Sequence, residues 1–238
     1  MAMDKAFLKQ KLPRVLVGCP TSWHKEYCLM KYIETAKGLT YPNYDILLVD
    51  NSEDDIYSKK IKNLGIPVIK GPWFESARDR IVASRNILRE KAIEGYDYLL
   101  SLEQDVIPPK DIIERLLSHK KDIVSGVYYN HAIINGSTLL VPMVFKFTEK
   151  EDELLYYSSH EIEEPNLIKV RACGLGCLLI NLKVLKKINF RFDIKNKGFD
   201  DMWFSVDAYF NQFEIFADTI LKCKHLIKGS IPWSQIKK

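Results

Sequence analysis

The chain has 238 residues, of which 47% are hydrophobic and 28% are charged, a composition typical of soluble globular proteins. This length suits one large domain, or at most two small ones, with a sizeable core. The net charge of +4 comes from lysines and arginines scattered along the chain, which argues against a nucleic-acid-binding surface.

The cysteines and the apolar segments indicate the cellular compartment in which the protein is expected. The five cysteines are odd in number and lack the paired spacing of a zinc site, so we expect reduced core thiols in a cytoplasmic protein. The first residues show no signal-peptide pattern, and no uncharged apolar stretch reaches the length of a transmembrane segment. Because the chain contains many lysines, contact with an anionic membrane surface stays an alternative.

Strands and helices alternate in the first half of the chain. The pattern predicts strands at 14–19, 45–50, 66–70 and 96–102, separated and followed by helices at 23–38, 55–64, 75–94 and 111–119. Such alternation predicts an α/β fold with a parallel sheet that is covered by helices on both faces.

The second half lacks long helices between its strands, so we expect a mixed or antiparallel part of the sheet there. Loops are expected at 130–138 and 149–166. The other predicted elements are strands at 122–129, 141–148, 167–172, 214–217 and 220–223, and helices at 182–188 and 200–212.

Two acids, Glu103 and Asp105, follow the predicted strand at 96–102, and Pro108 and Pro109 come next. If the backbone stays extended, both side chains point to the same side of the strand. Two neighbouring carboxylates repel each other unless a cation lies between them, and their oxygens suit Mg²⁺ or Mn²⁺, which often accompany phosphates. The alternative is a solvated turn that happens to contain two acids.

Other polar residues follow the first two strands, at the edge where α/β sheets bind ligands: Pro20, Thr21 and Asp50. Asp50 either accepts an N–H group of a nucleobase or caps the turn that follows it. On the helix at 75–94, Arg78 and Arg85 share a face and suit a diphosphate, although a solvated, ion-paired face explains any single arginine.

The later part of the chain adds further candidates. Gly174 and Gly176 interrupt a strand-like run, which often marks close approach by a ligand or another backbone segment. Asp200 and Asp201 begin a helix, where capping alone explains an acid. Aromatic residues that either stack on a sugar or pack in the core are Trp73, Phe74, Trp203 and Trp233.

Taken together and in order, seven short motifs resemble those of GT-A glycosyltransferases, most closely the family 2 type. The motifs are Gly18-Cys-Pro-Thr21, Leu48-Val-Asp-Asn-Ser52, Ala83-Ser-Arg-Asn86, Leu102-Glu-Gln-Asp-Val-Ile-Pro108, Cys173-Gly-Leu-Gly-Cys-Leu-Leu-Ile180, Phe199-Asp-Asp-Met-Trp-Phe204 and Lys224-His225.

The resemblance implies one GT-A domain over residues 1–238, with a Rossmann-like, mostly parallel central sheet. Residues of about 12–108 would form the nucleotide-binding half, and residues of about 109–238 the acceptor-binding half. The implied activity is inverting transfer of a sugar from a UDP- or GDP-sugar to a hydroxyl group of a glycan, a lipid-linked carrier or a protein, assisted by Mn²⁺ or Mg²⁺.

The resemblance also implies a role for particular residues. Asp201 would be the general base, with Asp200 beside it, and Asp105 and His225 would hold the metal ion. Gly174, Gly176 and Trp203 would lie against the donor or acceptor sugar. The implied nucleotide-binding residues are Pro20, Thr21, Asp50, Arg85, Glu103 and Gln104.

Two positions depart from the family pattern. Glu103 replaces the first aspartate of the metal-binding motif, and Asp200 replaces the glutamate of the late acidic pair. Two other functions stay open, of which the second is favoured by Glu103. A sugar-phosphate nucleotidyltransferase would need a Gly-rich loop where this chain has Gly18-Cys-Pro-Thr-Ser-Trp23. A non-catalytic GT-A-like module would bind a glycan without turnover.

Overall fold

The computed structural model describes residues 12–149, 154–193, 195 and 199–227. The α-helices are α1 (Leu29–Lys37), α2 (Ile56–Asn63), α3 (Ala77–Gly95), α4 (Ile112–Ser118), α5 (Leu182–Leu185) and α6 (Asp200–Phe210). Short 3-10 helices lie at Trp23–Cys28 and His160–Ile162. The strands are β1 (Val15–Thr21), β2 (Tyr44–Asp50), β3 (Val68–Lys70), β4 (Tyr98–Leu102), β5 (Val106–Ile107), β6 (Ile123–Val127), β7 (Tyr129–Ile134), β8 (Ser137–Pro142), β9 (Val144–Lys146), β10 (Leu155–Tyr156), β11 (Leu167–Val170), β12 (Ala172–Cys173), β13 (Cys177–Asn181), β14 (Ile215–Lys222) and β15 (Lys224–His225).

Eight of these strands form one mixed sheet in the order β11-β14-β6-β13-β4-β1-β2-β3. Strands β4, β1, β2 and β3 are parallel, as the alternating pattern predicts. Strand β13 runs antiparallel to both β4 and β6, and β11 runs antiparallel to β14. The predicted mixed second half is therefore confirmed.

The central strands are apolar on both faces because helices cover both. Side chains of α1, α2 and α4, among them Tyr32, Ile61 and Ile113, pack on one face. Side chains of α3, α5 and α6, among them Leu88 and Phe204, pack on the other. All five cysteines are buried and free, in agreement with the expected core thiols.

Several predicted boundaries are wrong. The expected loop at 130–138 is largely a hairpin of β7 and β8, whose turn at Asn135 and Gly136 has φ angles of 51° and 78°. An Asn-Gly pair adopts this left-handed backbone readily, and it is a hairpin signal in itself. The two strands expected at 214–217 and 220–223 are one strand, β14, with a register shift between Asp218 and Lys222.

Other differences concern the start of the first helix and the loop before β11. The helix expected at 23–38 begins as the 3-10 helix Trp23–Cys28, and the expected loop at 149–166 contains β10 and a second 3-10 helix. Trp233 lies outside the described residues. Within the described ranges, no helix combines the length and the apolar character needed to cross a bilayer.

Candidate active site

The carboxyl ends of β1, β2 and β4 meet at one edge of the sheet and border a cavity of about 200 Å³. The parallel register brings Thr21 beside Asp50. The cavity is lined by residues of these strand ends, of the elements after them and of the first turns of α3, among them Pro20, Thr21, Lys25, Asn51, Arg80, Glu103 and Gln104. This is the edge where the sequence predicts a ligand site.

A buried arginine joins three elements beneath this edge. Arg85 of α3 bonds through Nε to Asp200 at the start of α6, and through Nη2 to Glu103 after β4. Its Nη1 donates to Ser101 Oγ at 2.9 Å. Burial would lower the pKa of Arg85, but the two carboxylates outweigh burial and raise it. The guanidinium therefore stays charged and fixes the position of both acids.

Asp201 differs from its neighbour because no described residue forms an ion pair with it. Its Oδ1 accepts a hydrogen bond from the backbone N–H of Met202 at 2.8 Å. Burial, then the negative charges of Asp200 and Glu103, raise the pKa of Asp201 to about 6. A carboxylate with a pKa this close to neutrality accepts and releases protons readily, as a general base must.

Asp105 lies in a second charged group, together with Lys25 and His225. The Lys25 ammonium contacts Asp105 Oδ2, and His225 Nε2 lies 3.3 Å from the same oxygen. The other ring nitrogen of His225 is 2.8 Å from the carbonyl oxygen of Tyr129. Burial alone would raise the pKa of Asp105, but His225 and Lys25 lower it to about 2.

The extended backbone expected through residue 105 is wrong. Strand β4 ends at Leu102, and the N–H of Val106 donates to the carbonyl oxygen of Glu103 at 3.0 Å across a turn. Because the two-residue period ends with the strand, Glu103 and Asp105 bond to different partners, Arg85 and Lys25.

Tyr128 connects the two groups. Its ring meets that of His225 edge-on, with 5.4 Å between the centroids. Burial and the charges of Glu103 and Asp201 raise the pKa of the Tyr128 phenol. The same hydroxyl accepts a hydrogen bond from Gly176 N at 3.2 Å. Tyr128 therefore contacts the Asp105 group through His225 and lies close enough to Asp201 for the carboxylate charge to act on its hydroxyl.

Gly174 and Gly176 make room for this ring. A Cβ atom would lie 2.1 Å from the Tyr128 hydroxyl oxygen at Gly174, and 2.6 Å from Tyr128 Cζ at Gly176. The close approach that the two glycines indicate is therefore made by Tyr128 of the same chain. Contact with a sugar remains a prediction.

Asp50 and Gln104 are held by their neighbours. Asp50 Oδ1 accepts hydrogen bonds from the N–H and the hydroxyl of Ser52, at 2.9 and 2.5 Å, so Asp50 caps the turn. Its Oδ2 is buried without a hydrogen-bond partner, 3.7 Å from Lys70 Nζ. Gln104 is buried and bonds to Thr21 and to Tyr57. A role of Asp50 at a nucleobase remains a prediction.

Trp203 lies one turn into α6, half-buried, with the Arg191 guanidinium 4.6 Å from its ring centre. Its indole nitrogen is buried without a described hydrogen-bond partner. A larger cavity, of about 480 Å³, lies beside the C-terminal end of α6 and is lined by none of the predicted site residues. Size alone therefore does not identify the site.

The donor types at Asp105 and His225 fit a divalent cation, because Mn²⁺ accepts carboxylate oxygen and imidazole nitrogen. Asp105 Oδ1 is buried and has no hydrogen-bond partner, so one acceptor remains for a cation. However, the described residues contain no group of three or more His, Cys, Asp or Glu placed to hold a metal ion. The remaining ligands would have to come from a substrate and water.

Sequence reasoning missed Lys25 and Tyr128. Lys25 lies within the helix expected at 23–38, where a lysine is common. The one signal for a role in the site was its position shortly after the end of a strand. For Tyr128, the signal was present in the paired glycines, but they do not show which side chain approaches them.

The fold resembles that of solved glycosyltransferases. The crystal structure of GalNAc-T7 with UDP, GalNAc and Mn²⁺ matches with a TM-score of 0.68 at 14% identity, over 92% of this chain and 44% of that one. Residues 1–349 of S. aureus TarS, in complex with UDP-GlcNAc, match with a TM-score of 0.56 at 16% identity, over 94% of this chain and 62% of that one.

The chain therefore has the GT-A fold that its motifs predict. It spans less than two thirds of the length of either solved chain. No protein-family profile matches the sequence, and no curated protein matches it.

We predict that Arg85→Met lowers the free energy of unfolding by about 3–5 kcal/mol, because Asp200 is then buried without its partner. Arg78→Met, on the same helix, is the matched control. The Arg78 guanidinium lies over the exposed ring of Phe199 at 4.9 Å, and its loss should cost about 1 kcal/mol or less. Urea denaturation measures both values, and equal effects would contradict a special role for Arg85.

Proposed function

We propose that this protein is a glycosyltransferase that moves a sugar from a nucleoside-diphosphate sugar to an acceptor hydroxyl by a single displacement with inversion. Asp201 carries this proposal. It is a carboxylate without an ion-pair partner among the described residues, its pKa is raised to about 6, and it lies beside the cavity residue Glu103 on a GT-A fold.

Asp201 would act as the general base. The acceptor hydroxyl must lose a proton while it attacks the anomeric carbon, and Asp201 would take this proton at roughly 2.6–3.2 Å. Arg85 holds the adjacent Asp200, so the two acids have different tasks. Asp200 anchors the start of α6, and Asp201 remains available.

The leaving diphosphate needs positive charge at the opposite end of the reaction. Lys25 and His225 place nitrogen atoms at Asp105 beside the cavity. Asp105 and His225 would also hold Mn²⁺ or Mg²⁺, and such an ion, when bound, stabilises the charge that develops on the departing phosphate. The Mn²⁺ in the GalNAc-T7 structure supports this expectation.

The donor nucleotide would lie in the cavity of about 200 Å³, against Pro20 and Thr21. The solved neighbours contain UDP or UDP-GlcNAc, which supports a uridine nucleotide over GDP as the first to test. The second half, with its hairpin of β7 and β8, would shape the site for a glycan, lipid-linked or protein acceptor.

Two alternatives receive less support. A nucleotidyltransferase would lack its Gly-rich phosphate loop, since the chain after β1 forms the 3-10 helix Trp23–Cys28. A non-catalytic module has no need for a carboxylate with a raised pKa. Incubation with a panel of UDP- and GDP-sugars, with and without Mn²⁺, distinguishes the three functions. A glycosyltransferase releases or transfers the sugar, and a nucleotidyltransferase shows pyrophosphate-dependent nucleotide exchange. A non-catalytic module shows binding alone.

In that assay, we expect Asp201→Asn to lower transfer by at least about 100-fold while the binding of the donor is largely kept. Asp111→Asn, at the exposed N-terminus of α4 outside the cavity lining, should behave as the wild type. Comparable turnover by the Asp201 variant would eliminate the base assignment.

The same variant should be more stable than the wild type at pH 7. The folded-state pKa of about 6 exceeds the ordinary value of 3.8, so the unfolded state ionises first as the pH rises. The free energy of unfolding therefore decreases as the pH rises from 3.8 to about 6, and it stays at the lower value above pH 6. Asparagine removes this cost, worth up to about 3 kcal/mol. A thermal melt that shows a folded, stabilised variant also excludes misfolding as the cause of lost activity.

The pH profile gives an independent prediction. Below a pH of about 6, kcat/KM should fall about tenfold for each unit as Asp201 becomes protonated, and above it the rate should reach a plateau. Initial rates between pH 4.5 and 8 measure this curve. A midpoint near 4, the range of an ordinary carboxylate, would contradict the pKa that the structure gives Asp201.

A further inference from the structure

Lys25 occupies the position where the family resemblance places a metal ion. Its ammonium contacts Asp105 Oδ2, the oxygen that His225 also approaches. The Lys25 side chain is 38% exposed and lines the cavity, whereas the Asp105 side chain is only 4% exposed. Lys25 therefore presents the charge of this group to a ligand.

The backbone of Lys25 is fixed by hydrogen bonds, although its side chain is partly exposed. Strand β1 leads into the 3-10 helix that carries Lys25, whose N–H donates to the carbonyl oxygen of Ser22 at 2.9 Å. The buried Gln104 donates to the carbonyl oxygen of Lys25 at 2.5 Å. These contacts keep the base of a flexible four-carbon side chain at the rim of the cavity.

Two bases face one carboxylate at this point. The Lys25 ammonium and the His225 ring both lie at Asp105. Glu103 also lines the cavity, but it bonds to Arg85. Arg80 adds a second cation to the cavity lining. An anionic ligand is therefore attracted to Lys25 and Arg80 even without a metal ion.

An ammonium group on Asp105 Oδ2 and a divalent cation on Oδ1 repel each other, because the two oxygens belong to one carboxylate. The two are therefore alternative partners of Asp105. A lysine that is released from Asp105 can turn its three N–H donors to a phosphate oxygen, and charge-assisted bonds of this kind are among the stronger ones in proteins.

We propose that Lys25 is a built-in counter-charge for the diphosphate of the donor and competes with a divalent cation for Asp105, so that the protein binds nucleoside diphosphates without added metal. This inference rests on the proposed function, because it assumes that a nucleoside diphosphate is the ligand of the cavity.

Calorimetric titration with UDP and with GDP tests it, in EDTA and in Mn²⁺. For the wild type, the two conditions should give affinities within about threefold of each other. Lys25→Met should lose at least about tenfold in EDTA and regain most of the loss in Mn²⁺, because the cation then supplies the missing charge. Lys25→Arg should keep binding in EDTA. Lys31→Met, on the exposed face of α1, is the matched control and should behave as the wild type.

Binding of Mn²⁺ alone, followed by electron paramagnetic resonance, gives a second readout that needs no nucleotide. Lys25→Met should bind Mn²⁺ at least about tenfold more tightly than the wild type, since the competing ammonium is gone. Equal Mn²⁺ affinity in the two proteins would overturn the competition between Lys25 and the cation.

The nucleotide titrations separate the remaining outcomes. If the wild type binds UDP and GDP only in Mn²⁺, or if Lys25→Met binds them normally in EDTA, the counter-charge role is wrong and the proposed function stands. If no protein binds either nucleotide under any condition, the proposed function itself fails.

Discussion

The ion pairs of Arg85 are the constraint on which the arrangement of this site depends. A guanidinium that is buried between α3, the end of β4 and the start of α6 must keep its carboxylate partners, because an unpaired buried charge is costly. Asp200 and Glu103 supply this partnership, and Ser101 adds a hydrogen bond at 2.9 Å. The end of β4 and the start of α6, 18 and 115 positions away from Arg85, are thereby held at one place.

This constraint also explains why two adjacent acids differ. Asp200 is committed to Arg85, and Asp201, one residue further along α6, has no ion-pair partner among the residues that the structure describes. The negative charges that Arg85 gathers, Asp200 and Glu103, act on Asp201 and help to raise its pKa to about 6. Different surroundings thus commit one acid to an ion pair and support the proposal that the other acts as the base.

The positively charged side chains beside Asp105 come from other elements of the chain. Residues that come directly after β1 and β4, Lys25 and Asp105, meet His225 of the short strand β15, which pairs with β5. Tyr128 packs against His225 of this group, and two glycines give its ring the space it needs. The proposed displacement would place the leaving diphosphate at this group and the attacking hydroxyl at Asp201.

Most of the architecture could be predicted from the sequence because it depends on local periodicity. The alternation of apolar strands and amphipathic helices up to residue 119 indicated the parallel half, and the residues after strand ends indicated the edge that carries the site. The hairpin of β7 and β8 was not predicted because its polar residues were interpreted as a loop. Asn135 and Gly136 nevertheless form a pair that is typical of a hairpin turn.

The pairings within the site could not be predicted in the same way. Arg85 and Asp200 are separated by 115 positions, and no local pattern specifies which acid a given arginine will meet. The contact of Lys25 with Asp105 and the approach of Tyr128 to Gly174 likewise depend on tertiary packing. The resemblance to GT-A enzymes supplied candidate residues, but the structure decides which of them share a counter-ion.

A crystal structure with bound UDP would show whether these charged groups face the two ends of the reaction. We expect the uridine against Pro20 and Thr21, a diphosphate oxygen within about 3 Å of the Lys25 ammonium, and Asp201 facing the open side of the β-phosphate where a sugar would lie. UDP bound at another place on the molecule, or Asp201 separated from the nucleotide by packed side chains, would contradict this expectation.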